Sequence, residues 1–305
     1  MSASALDATP AATNATSPRL PGILVIGAMK ASTTAFVELL SRHPGVWFSP
    51  EKEPHYFTSP DYGDADALRR YADLFAGAPD DAILAEASTG YSKLPDLGPT
   101  PQRIRELLGE PKLIYLLRDP VARLVSNFHH SRLAGHYSAG LTLRQAVEAD
   151  PILVTASLYA RQIAAYHEEF GPDALLVLTT DELHANPGAA MRQVERHLEL
   201  DPFADWPEDL PSRNSRDDLG GSLAAQRIAP RSVLGMLRRF VPAGIKSRVK
   251  ASLAPPPAPA PSEDDLRYAQ SLIEDDLAEL VEMLGERIES WPSVLRLRDR
   301  RGGTA

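Results

Sequence analysis

Cysteine is absent from the 305 residues. Disulfides, thiol catalysis and cysteine-ligated zinc are therefore all excluded. No apolar run approaches the roughly 20 residues needed to cross a bilayer, so no membrane span is expected. Residues 1–19 are rich in Ala, Ser, Thr and Pro but have neither a basic start nor an apolar core. They read as a disordered leader and not as a signal peptide, and the expected location is cytoplasmic. Positive charge is also short: 32 Lys and Arg stand against 41 Asp and Glu, a formal net charge of -9. Such a chain is not expected to offer a broad nucleic-acid surface. Any anion site must be a local basic pocket.

What is present is the composition of a soluble globular protein, 43% hydrophobic and 24% charged. Short apolar runs at 23–26, 46–48, 82–86, 112–117 and 174–178 read as strands. Helical patterns occupy 34–42, 68–75, 100–108, 121–130, 141–148, 157–170 and 187–198. This alternation predicts an α/β fold, a parallel sheet with helices on both faces in three layers. Residues 20–305 are read as one domain, with a Pro/Ala linker at 254–261 and a final helix over 262–284. Between 202 and 250 the chain is rich in Lys and Arg, a solvated surface or a contribution to the site.

In a parallel sheet the chemistry gathers at the carboxyl ends of the strands, and four polar loops follow predicted strands. The first runs Gly27-Ala28-Met29-Lys30-Ala31-Ser32-Thr33-Thr34. Small residues let the backbone curl round a ligand, a helix N-terminus points at it, and Lys30 adds a positive charge. It reads as an oxyanion cradle or, more plainly, as an ordinary strand-to-helix connection with a solvated lysine. The lysine stands three residues after the glycine, so the turn is not the G-x-x-x-x-G-K-[ST] of ATP-hydrolysing enzymes. No carboxylate cluster suggests magnesium. The second loop, Ser49 to Phe57, is dense in ionisable and aromatic side chains. The third is Glu86-Ala87-Ser88-Thr89-Gly90-Tyr91. In the fourth, Arg118 and Ser126 could both reach a second phosphate, and Arg123 could assist or form an ion pair.

The opening turn, Lys52-Glu53-Pro54-His55-Tyr56-Phe57 and Arg118-Asp119-Pro120-Val121-Ala122-Arg123-Leu124-Val125-Ser126 together resemble the sulfotransferases that use 3′-phosphoadenosine-5′-phosphosulfate (PAPS), in the branch holding the heparan sulfate and related bacterial enzymes. Leu280 to Trp291 is similar to that family's L-x-x-x-L-G-x-x-x-x-x-W ending. The resemblance implies a P-loop-like fold and transfer of a sulfuryl group to a hydroxyl, less favourably an amine, with 3′,5′-ADP as product and no metal. It implies that Lys30, Ala31, Ser32, Thr33 and Thr34 hold the phosphosulfate end, and that Arg118 and Ser126 hold the 3′-phosphate. Arg216 is the candidate for closing over the nucleotide. Glu53 matches the acceptor-activating base, His55 lies beside it, and Lys30 stabilises the leaving group. Lys52, Glu86, Ser88, Tyr91 and Tyr159 are the expected acceptor contacts, with Ser157 near the 3′-phosphate or the acceptor. Ser32 stands where the family most often has glycine. The implied acceptor is a small molecule, lipid or sugar. Specialised metabolism in a GC-rich bacterium fits the Ala/Pro/Arg-rich composition, and a homodimer is left open. Two other readings stay beside this one: a nucleotide kinase, and a non-catalytic nucleotide-binding protein of the same fold.

Overall fold

The computed structural model describes residues 18–138, 140–210 and 260–302, with residues 301 and 302 as backbone only. Most of the expected leader, Arg216 with the rest of the Arg-rich stretch from 211, and the linker up to 259 lie outside the described residues.

The apolar runs become strands β1 (Ile23–Gly27), β2 (Val46–Phe48), β3 (Ile83–Ala87), β4 (Lys112–Leu117) and β5 (Leu175–Thr179). They pair in parallel in the order β2-β3-β1-β4-β5. All five residues of β1 are buried, and so are the last five of β4. A strand covered on both faces has no polar side to show, which is why these two read as unbroken apolar runs.

Between the strands lie α1 (Thr33–Leu40), α2 (Ala65–Asp73), α3 (Thr100–Leu108), α4 (Pro120–Ala134), α5 (Leu143–Ala149), α6 (Ile152–Thr155) and α7 (Tyr159–Phe170). After β5 come α8 (Thr180–Ala185), α9 (Pro187–Leu198), α10 (Glu263–Ser271), α11 (Glu274–Leu284) and α12 (Pro292–Gly302). The β1–β2 crossover runs toward one sheet edge, and every later one runs the other way. Because parallel crossovers are right-handed, the reversal puts helices on both faces. It also makes the gap between β1 and β4 the place where connections leave in opposite directions. Open α/β sheets bind their ligands at such a gap.

Two expectations need correction. The single helix over 262–284 is two, α10 and α11, broken at Leu272 and Ile273, with Ile273 at φ -118 packed into the core. The last helix, α12, was not foreseen because its apolar positions are sparse among charges, yet it buries Val294 and Leu297. Fully burying side chains of this size contributes about 1.5–3 kcal/mol each.

Hydrogen bonds fasten this C-terminal segment to the strand ends. The Asp119 carboxylate accepts Ala122 N–H and Ser293 N–H, both at 2.8 Å, so one side chain starts both α4 and α12. Asp276 accepts Ala160 N–H (3.1 Å) and Arg161 N–H (2.8 Å) at the start of α7. The buried Trp291 donates its indole N–H to Asp181, and Arg287 donates to Glu182 and to the Val177 carbonyl.

Candidate active site

Backbone hydrogen bonds, one to β4 and one within the turn, hold the turn after β1. Ala28 N–H donates to Leu116 O (2.8 Å) and Ala31 N–H to Ala28 O (3.1 Å). Lys30 (φ 74) and Ser32 (φ 59) both occupy the left-handed region, at a cost of about 1–2 kcal/mol for a residue with a side chain. Gly27, at φ 152, is required for space: a Cβ there would fall 2.0 Å from Ser92 Oγ in the loop after β3. Ser32 stands at the N-cap of α1, but its side chain caps nothing. The N–H groups of the first turn of α1 therefore have neither a helical acceptor nor a side-chain cap. They are geometrically open to an anion, as the sequence pattern expects, although the N–H of Ala31 is spent within the turn itself.

Cations gather round this cradle. Lys52 donates to Thr34 Oγ1 at 2.8 Å, and Arg118 Nη1 reaches Lys30 O at 3.4 Å across the gap between β1 and β4. Burial, then the charges of Arg118 and Lys52, hold the Lys30 ammonium below the usual lysine pKa. None of the three cations forms an ion pair with a carboxylate among the described residues. Like charges collected without a carboxylate in contact suit a multiply charged anionic ligand. Ser126 lies half-buried on α4, eight residues beyond Arg118.

The carboxylate of the site is Glu53. Glu53 and His55 both have φ 54, so the loop after β2 bends sharply and brings the two side chains together. His55 Nε2 lies 3.1 Å from Glu53 Oε2, and Thr89 Oγ1 donates to the same oxygen at 2.9 Å. Burial alone would raise the Glu53 pKa. Hydrogen bonds from His55 and Thr89, with the charges of His55 and Lys52, outweigh it and hold the carboxyl below its ordinary value. Its side chain keeps 28% exposure, enough to meet a ligand. The imidazole rests on Gly90, where a Cβ would stand 2.8 Å from His55 Nδ1.

Several expected contacts are corrected by burial. Glu86 and Tyr91 are 1% and 0% exposed, so neither faces an acceptor. Glu86 instead accepts hydroxyls from Tyr91 (2.6 Å), Tyr71 (3.0 Å) and Ser88 (3.1 Å). Burial pushes its pKa up to about 7 against those three hydrogen bonds. Ser88, also buried, accepts His55 N–H at 3.1 Å. This layer is the floor beneath the Glu53–His55 pair. Tyr159 is fully buried edge-on to Tyr115. Ser157 and Arg123 are likewise buried: among the described residues Arg123 forms no ion pair but donates to Ser157 Oγ (2.7 Å) and Leu153 O (2.6 Å). Lys52 turns to Thr34 and so belongs to the cradle side.

Two residues were missed. His130 sits on α4 one turn beyond Ser126, with a buried Nδ1 that has no hydrogen-bond partner among the described residues. Burial, then the Lys30 charge, lowers its pKa. The four-residue spacing from Ser126 was the available signal. Lys93, in the loop after β3, places its ammonium 3.5 Å from Met29 Sδ. Its pKa falls through burial and the nearby Arg123 charge. Nothing in its local sequence marks it.

The sulfotransferase domain model matches residues 21–212. The human bifunctional heparan sulfate N-deacetylase/N-sulfotransferase 2 is 28% identical over 215 residues, 64% of this chain and 24% of that protein. The Mus musculus heparan sulfate glucosamine 3-O-sulfotransferase 3A1 is 27% identical over 196 residues, 60% of this chain and 47% of that protein. The match thus spans about a quarter to about a half of the length of these curated relatives. Among solved structures, a sulfotransferase from Alicyclobacillus acidocaldarius superposes with a TM-score of 0.54 at 25% identity, covering 74% of this chain and 98% of that one. With the family match spanning most of the chain and the parallel sheet carrying its turn at the expected edge, this protein belongs to the sulfotransferase family, the PAPS-dependent enzymes that its motifs resemble.

Proposed function

We propose that the chain transfers a sulfuryl group from PAPS to a hydroxyl, less favourably an amine, of a small-molecule, lipid or sugar acceptor. The observation that carries this reading is the pairing of an uncapped, cation-ringed turn at Lys30 with an ionised, hydrogen-bonded carboxylate at Glu53. Lys30, Ser32, Thr33 and Thr34, with Lys52, would hold the phosphosulfate end. Arg118 and Ser126 would hold the 3′-phosphate. The fit rests on three cations without carboxylate partners among the described residues and a helix N-terminus without a side-chain cap.

When bound, PAPS supplies the sulfuryl group and departs as 3′,5′-ADP. Glu53 accepts the proton of the attacking hydroxyl. Its lowered pKa keeps it ionised at neutral pH, and the hydrogen bonds from His55 and Thr89 fix the direction of the free oxygen. Proton removal during attack needs a positioned carboxylate more than a strongly basic one. Lys30 holds its positive charge where negative charge builds at the turn, in a half-buried setting that strengthens it. His130 and Lys93 both feel the Glu53 charge and would border the acceptor space. With a net charge of -9, the chain is poorly suited to a long polyanionic acceptor. Residues 20–305 would work as one cytoplasmic domain; among the described residues no helix is long and apolar enough to cross a membrane.

Thermal shift with 3′,5′-ADP, 5′-AMP and ATP–Mg²⁺ tests the donor. A ligand at 100 times its Kd stabilises the folded state by about 2.7 kcal/mol. 3′,5′-ADP should outrank both others. Equal shifts for all three would remove the 3′-phosphate assignment, and preference for ATP–Mg²⁺ would favour a kinase.

A further inference from the structure

A serine that caps a helix adopts an extended backbone and turns its oxygen onto an N–H of the first turn. The caps of α2, α5 and α10 do so: Asp64, Thr142 and Ser262 have φ between -66 and -77, and each accepts a first-turn N–H. Ser32 does neither. Its backbone is left-handed, it makes no cap hydrogen bond, and its Oγ lies 3.0 Å from Nε2 of His184, 152 residues away in the chain. His184 is on α8, directly after β5. That short helix is held firmly: Thr179 and Glu182 form a reciprocal capping box at its start, and Arg287 clamps Glu182. The imidazole therefore reaches Ser32 from an anchored platform.

We propose that His184 is a positioning residue for the donor turn. By engaging the Ser32 hydroxyl it keeps the turn left-handed and the serine oxygen away from the first-turn N–H groups of α1, which stay available to the donor phosphate. Without the imidazole, Ser32 relaxes into the ordinary capping form. The hydroxyl then takes an N–H that the phosphate needs, and the turn loses its curl. A glycine at position 32 has no oxygen to misplace and adopts positive φ freely, so it makes His184 dispensable. This inference rests on the donor reading above.

The test uses the full chain, His184→Ala, Ser32→Gly and the double variant, titrated calorimetrically with 3′,5′-ADP and, separately, with inorganic pyrophosphate. His184→Ala should weaken both ligands by about tenfold, the scale of one helix cap. Added to Ser32→Gly, the same change should cost less than about twofold, because the competing cap no longer exists. In turnover, the loss should fall on the KM for the donor and not on kcat, and His184→Gln should recover part of it. Undiminished binding by His184→Ala would overturn the proposal. So would an equal loss in the glycine background, since His184 would then act on the ligand directly. If pyrophosphate binds with this pattern but 3′,5′-ADP does not bind, the donor reading fails and the positioning role stands. If neither ligand binds the unaltered chain, both fail.

Discussion

Replacing Glu86 by Gln should remove a pH-dependent weakness from the fold. The carboxyl is 1% exposed and its pKa rises from 4.5 to about 7, chiefly through burial. In the unfolded chain it loses its proton near pH 4.5, while the folded protein keeps it to about pH 7. Between those values the folded state binds the extra proton, so stability falls as pH rises through this window and levels off above it. At about 1.4 kcal/mol per pKa unit, the total is on the order of 3 kcal/mol, or about 5 °C in Tm for a chain of this size. Glutamine keeps a carbonyl for the Tyr71 and Tyr91 hydroxyls and cannot ionise. His130, His167 and His197, whose pKa values are lowered by burial, act in the opposite sense below pH 6.5. The informative quantity is therefore the difference between the two proteins. Calorimetric Tm values from pH 4.5 to 8.5 should nearly coincide at the acid end and separate steadily, with Glu86→Gln the more stable above pH 7. Parallel curves across the range would refute the argument that burial governs this carboxyl.

Three further outcomes are expected. Glu53→Gln and Lys30→Ala should each reduce sulfuryl transfer by about 10²-fold or more, and Glu53→Gln should leave the Kd for 3′,5′-ADP within about twofold. Gly90→Ala would put a Cβ 2.8 Å from His55 Nδ1 and displace the ring from Glu53. The Glu53 pKa should then rise, moving the acid limb of the kcat profile to higher pH and lowering kcat by about tenfold without affecting donor affinity. Asp119→Ala uncaps two helices and should cost about 2 kcal/mol in urea unfolding, near twice the loss from the single cap removed by Thr142→Ala.

Much of the fold was legible because β1 and β4 are buried on both faces and cannot help reading as apolar runs. The cradle was legible because small residues, a lysine and two threonines follow β1 in one unbroken stretch. Function-bearing loops and supporting loops look alike in sequence, however. Glu86, Ser88 and Tyr91 have the polar character of ligand contacts, and only their burial reveals that they support His55 from below. His130 could have been found from its spacing to Ser126. His184 could not, since a hydrogen bond between residues 32 and 184 has no local signature. The division of the last long helix into α10 and α11 was equally hidden, because Leu266, Ile273 and Leu277 keep a helical spacing across the break.

Asp119 gives the molecule a particular order of assembly. Its neighbour Arg118 faces the cradle, while its own carboxylate joins the start of α4 to that of α12. During synthesis the β1 turn, Glu53 and Arg118 all emerge long before Ser293 can supply its N–H. The backbone carrying Arg118 is therefore completed by a segment made much later. Under the proposed donor reading, a ligand held at Arg118 would favour chains in which the segment around Ser293 has docked over partly folded ones.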